Sequence, residues 1–295
     1  MDTASSPSPG AVPAQFDTGA DLHPPELYQP NRAAKIVSIA RLEDISAREI
    51  ALYHEHGYLV VREAFDAAKI TAALAGLHHL VMGGLPDFTQ IWFEAGAREI
   101  LSTLTAEQRE DAVRKIAFFT EVEPRLNALA ADDRLLGVIR RLLGGAAPFM
   151  FQDMLLLKPP RLGREKPWHQ DHAYFDYPLG TPIVGAWIAL DAATVENGCM
   201  QLLPGRHKEG PIAHFKRRDW QICDKDILGT RSIAAELPPG GLLLFDGLLP
   251  HGTPHNSSPQ RRRALQFHYA PAGITKTAQE ERMKIFGSEG KDVTC

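Results

Sequence analysis

The chain has 295 residues, 44% of them hydrophobic and 23% charged, enough for one large domain with a substantial buried core. Its 32 basic and 36 acidic residues leave a formal net charge of -4, which argues against nucleic acid or an anionic membrane surface as a partner. Cys199, Cys223 and Cys295 are far apart and odd in number, so no disulfide framework is expected. With no apolar stretch approaching the roughly 18–20 residues of a membrane span and no secretory signal pattern, a cytoplasmic protein is expected.

Residues 1–35 are rich in Pro, Ser, Gly and Asp and read as a disordered or loosely packed arm. Residues 36–295 then read as a single domain: a helical front part over 36–145, a β core over about 146–272 and a tail over 273–295. Within the front part, Ser46–His56 predicts an amphipathic helix capped by Asp44 or Ser46, Gly57–Arg62 a strand, and Ala67–Met82 a second helix. Two further helices are expected over 105–129 and 132–143.

From Phe149 the apolar period changes to two, predicting strands over 149–158, 183–190, 199–203, 241–246 and 262–270. Asn197-Gly198, between Trp187–Leu190 and Cys199–Leu203, supplies the positive φ of a tight hairpin. Many short strands with helices gathered upstream predict a mainly β fold, a double-stranded β-helix (jelly-roll, cupin-like) core braced by helices on one face.

The chemistry concentrates in Trp168-His169-Gln170-Asp171, in Pro250-His251-Gly252-Thr253, and in Arg262, eleven residues beyond the second histidine. On an extended strand His169 and Asp171 share a face, and His251, after the apolar stretch 241–246, is expected to join them from elsewhere in the barrel. Two imidazoles and one carboxylate on one side of an iron are the facial triad of non-haem Fe(II) oxygenases. A His-x-Asp triplet alone is commonplace; the second histidine, the arginine and the β-rich context give it weight. His172, His207, His214, His255 and His268 read as surface, loop or packing residues. Among Arg261, Arg262 and Arg263, strand alternation turns Arg262 inward with Ala264 and Gln266, whereas Arg263 joins Leu265, Phe267 and Tyr269 on the other face.

Over residues 45 to 270 the sequence resembles the phytanoyl-CoA dioxygenase family of Fe(II)- and 2-oxoglutarate-dependent oxygenases. The resemblance is densest in Met154–Pro160, Trp168–Tyr174, Ala186-Trp187, Asn197–Lys208 and His251–Arg262. It implies Fe(II) held by His169, Asp171 and His251, 2-oxoglutarate as cosubstrate, and O2 as oxidant. Arg262 would grip the distal carboxylate of 2-oxoglutarate, and Thr253 would assist. Met154 and Trp187 match positions lining the cosubstrate pocket, Gln152 shares Met154's face, and Lys115 lies near a lysine that reaches the cosubstrate; core packing, or a solvated position for Lys115, is the alternative for each. The implied reaction hydroxylates an unactivated C–H bond of a small molecule, releasing succinate and CO2. Related halogenases have a small residue where Asp171 stands, so the aspartate favours hydroxylation over chlorination.

The segment 206–239 carries Lys208, Lys216, Arg217, Arg218, Lys225 and Arg231 beside the expected pocket mouth, where a solvated loop is the simpler reading than an acyl-CoA site. Two other functions use the same ligands: a zinc or cupin-type metalloenzyme, and a non-catalytic metabolite-sensing barrel. The sequence does not specify an oligomeric state.

Overall fold

A computed structural model describes residues 23–94 and 97–289. Its strands are β1 (Ser38–Ile39), β2 (Tyr58–Val61), β3 (Ile91–Phe93), β4 (Val113–Ala117), β5 (Pro148–Lys158), β6 (Lys166–His169) and β7 (Val184–Ala189), followed by β8 (Met200–Leu202), β9 (His214–Lys216), β10 (Trp220–Ile222), β11 (Ile233–Ala235), β12 (Leu242–Asp246), β13 (His251–Thr253) and β14 (Arg262–Pro271). The α-helices are α1 (Ala47–His56), α2 (Ala67–Val81), α3 (Ala106–Asp111), α4 (Pro124–Ala130), α5 (Asp133–Leu142) and α6 (Gln279–Phe286).

Local chemistry sets the helix ends. Ser46 and Glu49 form a capping box at the start of α1, and Gly57, at φ 79°, closes it in the left-handed conformation. Asp66 caps α2 through the Lys69 amide, and Asp132 caps α5 through the amides of Arg134 and Leu135.

Two sheets face each other as a jelly roll. The large one runs β1-β2-β12-β7-β14-β5-β4-β3, the small one β11-β8-β13-β6. Period-two alternation divides each central strand of the large sheet. Leu59, Val61, Leu242, Leu244, Ile188, Leu265 and Phe267 point outward into a core shared with Tyr53, Leu77, Leu129, Leu135 and Ile139 of the covering helices. Tyr58, Val60, Trp187, Leu243, Phe245 and Ala264 point inward against Met200, Leu202, Ile233 and Ala235 of the small sheet.

Close approach of the layers is visible at Gly185, where an added Cβ would lie 2.3 Å from the Phe245 ring. Gly185→Ala is therefore expected to destabilise the fold by about 1–3 kcal/mol through overpacking. Thermal denaturation checks this, and a parental melting temperature would contradict the tight interior described here.

The sequence-based elements need several corrections. The expected helix over 105–129 is broken: α3 ends at Asp111, and Val113–Ala117 form β4, paired with β3 on one side and β5 on the other. The break is held by Asp153, whose carboxylate accepts the amides of Phe118, Phe119 and Thr120 at 2.5–2.8 Å. The front part is thus not purely helical; it supplies four strands of the large sheet.

The expected hairpin at Asn197-Gly198 does not form, because β7 pairs with β12 and β14 while β8 pairs with β11 and β13. Gly198 does take a positive φ of 85°, but its turn carries the chain from one sheet to the other, braced by the Asn197 side chain on Thr194 and Ala192.

Residues 1–22 of the expected arm lie outside the described residues, and the stretch that follows is packed. Leu27 and Tyr28 are buried; Tyr28 stacks on Trp168 at 5.6 Å, and the Trp168 indole donates to the Leu27 carbonyl at 3.0 Å. In the tail, α6 places Phe286 against the rings of His172 and His214. Cys199 is a buried free thiol. No helix among the described residues is long and apolar enough to cross a membrane.

Candidate active site

The centre of the small sheet assembles the three expected ligands. Strand β13 lies between β8 and β6, so His251 pairs directly with His169 and the two ring centroids stand 4.2 Å apart. Asp171 is not on the strand with His169, as strand alternation alone had suggested; β6 ends at His169, and Asp171 opens a 3-10 turn. Extended backbone at Gln170 (φ -110°, ψ 131°) preserves the i, i+2 relation, so the carboxylate still emerges beside the imidazole.

Ligand-capable atoms of His169, Asp171 and His251 all lie within 4.8 Å of one another, and all three residues are buried. The Nδ1 of His169 stands 2.8 Å from the Pro167 carbonyl and that of His251 2.9 Å from the Leu249 carbonyl. Carbonyls only accept, so each ring proton is assigned to Nδ1 and each Nε2 turns a lone pair inward. Those Nε2 atoms face Asp171 Oδ1 at 3.2 and 3.7 Å. Three lone-pair donors converging in a buried place, with no proton between them, repel one another unless a cation sits there; the donor set fits a divalent metal such as Fe(II).

Burial, and then the neighbouring His169, push the His251 imidazole down to about 3, so it stays neutral in the folded protein. Burial alone would raise the Asp171 carboxyl, but His268, 2.6 Å from its Oδ2, outweighs it and holds that group well below the usual carboxylate range. An unfolded histidine takes up its proton near pH 6.5, whereas folded His251 resists until about 3, so the unfolded state binds more protons between these values. Metal-free protein is therefore expected to lose stability on this histidine's account as pH falls from 6.5 toward 3. Denaturant midpoints of parent and His251→Phe across that window check it; parallel curves would contradict it.

A cavity of about 540 Å³ opens onto the triad, and Arg262, Thr253, Trp187, Met154, Lys115 and Gln152 all line it. Register explains the convergence: Gln266 of β14 pairs with Trp187 on one side and Met154 on the other, and His268 pairs with Gly185 and Gln152. Arg262 is 2% exposed, with its guanidinium 5.4 Å from the Trp187 ring centroid. It donates to the Leu156 carbonyl at 3.3 Å, its buried Nε has no partner, and among the described residues no carboxylate lies within ion-pair distance. Burial pulls its pKa down to about 10. A buried cation with unused donors is costly unless an anion completes it.

The other lining residues divide by depth. The Oε1 of Gln152 is buried without a hydrogen-bond partner. Thr253 is buried two residues beyond His251 on β13. Lys115 sits farther out, its ammonium 5.5 Å from the ring of Trp92, which is 40% exposed; burial, and then Lys166 and Arg114, lower its pKa. None of the six basic residues singled out in 206–239 lines the cavity, and Arg218 is already committed to Glu165 and Asp224.

Two residues at the site were missed. His268, dismissed as packing, has Nε2 2.6 Å from Asp171 Oδ2, and Gln266 Nε2 lies 3.2 Å from the same oxygen. The alternation that turned Arg262 and Gln266 inward, carried two residues further, reaches His268.

With this geometry in hand, the chain can be set beside known proteins. The sequence profile described as phytanoyl-CoA dioxygenase (PhyH) matches residues 53–264. An ectoine dioxygenase of Sphingopyxis alaskensis is 28% identical over 265 residues, covering 83% of this chain and 80% of that protein. A probable phytanoyl-CoA dioxygenase of Caenorhabditis elegans is 31% identical over 242 residues, covering 77% and 75%. Among solved structures, EctD from S. alaskensis with 2-oxoglutarate and 5-hydroxyectoine superposes with a TM-score of 0.62 at 25% identity, covering 90% of this chain and 91% of that one. The carbocyclase SnoK from nogalamycin biosynthesis shares the fold at a TM-score of 0.61 and 23% identity, covering 80% and 88%. With that profile spanning most of its length, the chain belongs to the phytanoyl-CoA dioxygenase family.

Proposed function

We propose that this protein is an Fe(II)- and 2-oxoglutarate-dependent dioxygenase that hydroxylates an unactivated C–H bond of a small molecule, with release of succinate and CO2. The observation that carries this reading is the shared cavity: three inward lone-pair donors and, in the same space, a buried guanidinium lacking an anion. A zinc or cupin-type metalloenzyme would explain the donors but leave Arg262 unexplained, and a complete set of metal ligands argues against a non-catalytic metabolite sensor.

His169, Asp171 and His251 would hold the iron. Arg262 presents a rigid fork to the distal carboxylate of 2-oxoglutarate, a geometry lysine's point charge does not match. Trp187 keeps the guanidinium plane in place, Thr253 adds a hydroxyl, Met154 and Gln152 shape the wall, and Lys115 reaches in from the rim. Bound iron and 2-oxoglutarate supply the oxidising power that such a C–H bond demands. Leu156, Met200 and Phe175 add apolar wall to the cavity.

The cytoplasm is the compartment we assign, since reducing conditions keep iron ferrous. The substrate is a small molecule that fits beside 2-oxoglutarate in about 540 Å³.

Anaerobic protein with Fe(II) and 2-oxoglutarate is expected to show a weak visible charge-transfer band, and succinate release is expected to rise when a metabolite library supplies the true substrate. Absence of the band at saturating iron and 2-oxoglutarate would sink the assignment.

A further inference from the structure

We infer that His268 and Gln266 are positioning residues that clamp the outer oxygen of Asp171, so that the carboxylate offers a single oxygen to the metal; this rests on the iron-site reading above. The two carboxylate oxygens do different work. Oδ1 faces the Nε2 atoms of His169 and His251, while Oδ2 is turned away toward His268 Nε2 at 2.6 Å and Gln266 Nε2 at 3.2 Å.

The direction of the His268 bond follows from its surroundings. Its Nδ1 is buried with no hydrogen-bond partner. A proton there would be an unpaired buried donor, whereas a proton on Nε2 has a carboxylate oxygen to bond, so His268 donates to Asp171. The ring is fully buried and boxed by Phe151, Phe175 and Phe245, with centroids at 6.0, 4.9 and 6.2 Å, which leaves it no room to swing aside. Gln266 is also buried, with Nε2 3.2 Å from both His268 Nε2 and Asp171 Oδ2; once His268 Nε2 carries the proton, only the carboxylate can accept from Gln266, which supplies the second donor.

An oxygen that already accepts two hydrogen bonds has little reason to rotate toward a cation. A carboxylate free to rock could offer a bound metal both of its oxygens, whereas one held this way would offer only Oδ1. Both clamp residues stand on β14, on the same face as Arg262. One strand therefore anchors the cosubstrate's far end and fixes the metal ligand's orientation.

Cobalt(II), read by its visible d–d absorption, tests this without turnover. His268→Phe is expected to weaken Co(II) binding about 10- to 100-fold and to change the band shape, Gln266→Leu to weaken it by a smaller factor, and His268→Gln, which keeps an N–H, to recover most of the affinity. Asp171→Ala is the control and should abolish binding. Parental affinity and band shape in His268→Phe, with binding lost in Asp171→Ala, would overturn the clamp while leaving the metal site intact. Equal loss in His268→Gln and His268→Phe would reduce His268 to packing and overturn it too. Parental binding in Asp171→Ala would instead remove the metal site itself. Should circular dichroism show His268→Phe unfolded, Gln266→Leu decides alone, and an unchanged Kd there overturns the clamp.

Discussion

Asp171→Ala is expected to eliminate the Fe(II)–2-oxoglutarate band and to lower substrate-dependent succinate release by more than the roughly 100-fold typical of losing an outer partner of a metal ligand. The reasoning is electrostatic. An imidazole binds a metal through a neutral nitrogen, so Asp171 is the negative charge that the site would contribute to a divalent cation. The substitution also strips His268 and Gln266 of their common acceptor, and leaving buried donors unpaired costs about 1–3 kcal/mol each. Metal affinity by cobalt titration and stability by urea denaturation separate the two effects. A variant that still binds iron with parental affinity would contradict the site.

Arg262→Met should move stability and function in opposite directions. The guanidinium is buried over Trp187 with no carboxylate in ion-pair distance among the described residues, so the ligand-free parent bears a desolvation that the ring and one long hydrogen bond to the Leu156 carbonyl offset only in part. A methionine of similar length removes that cost, and the ligand-free variant is expected to be more stable by about 1–4 kcal/mol. The same change deletes the partner of the 2-oxoglutarate distal carboxylate, which is expected to cost on the order of 2–5 kcal/mol, or roughly 30- to 5000-fold in Kd. Calorimetric titration with 2-oxoglutarate and thermal melting without it measure both halves. Lower stability together with unchanged 2-oxoglutarate affinity would show that Arg262 serves the fold and not the cosubstrate.

The parts of this structure legible in the sequence are those governed by short-range periodicity. Alternation located β5, β7, β12 and β14 and turned Arg262 to the interior, because side chains on a strand have only two faces to choose from, whereas the inward placement of Met154 and Trp187 came from the family resemblance. Helical texture failed at Val113–Ala117, where apolar Val113, Ile116 and Ala117 suit either period and only pairing with β3 and β5 decides. Asn197-Gly198 reported a real turn but not its partners, since strand pairing between two sheets is a long-range property. His268 was overlooked for a related reason: its meaning comes from Asp171, 97 residues away in the chain.

The strap formed by residues 25–28 sets a limit on how far this protein can be trimmed. Tyr28 lies flat on Trp168, the neighbour of His169, and hydrogen-bonds Glu165 at 2.8 Å on the cavity wall. A truncation ending at residue 22 leaves that plug seated, whereas one ending at residue 35 uncovers the indole and admits solvent behind the edge strand that carries the first metal-binding histidine. Chain boundaries that remove this strap would therefore bare Trp168, the residue next to His169.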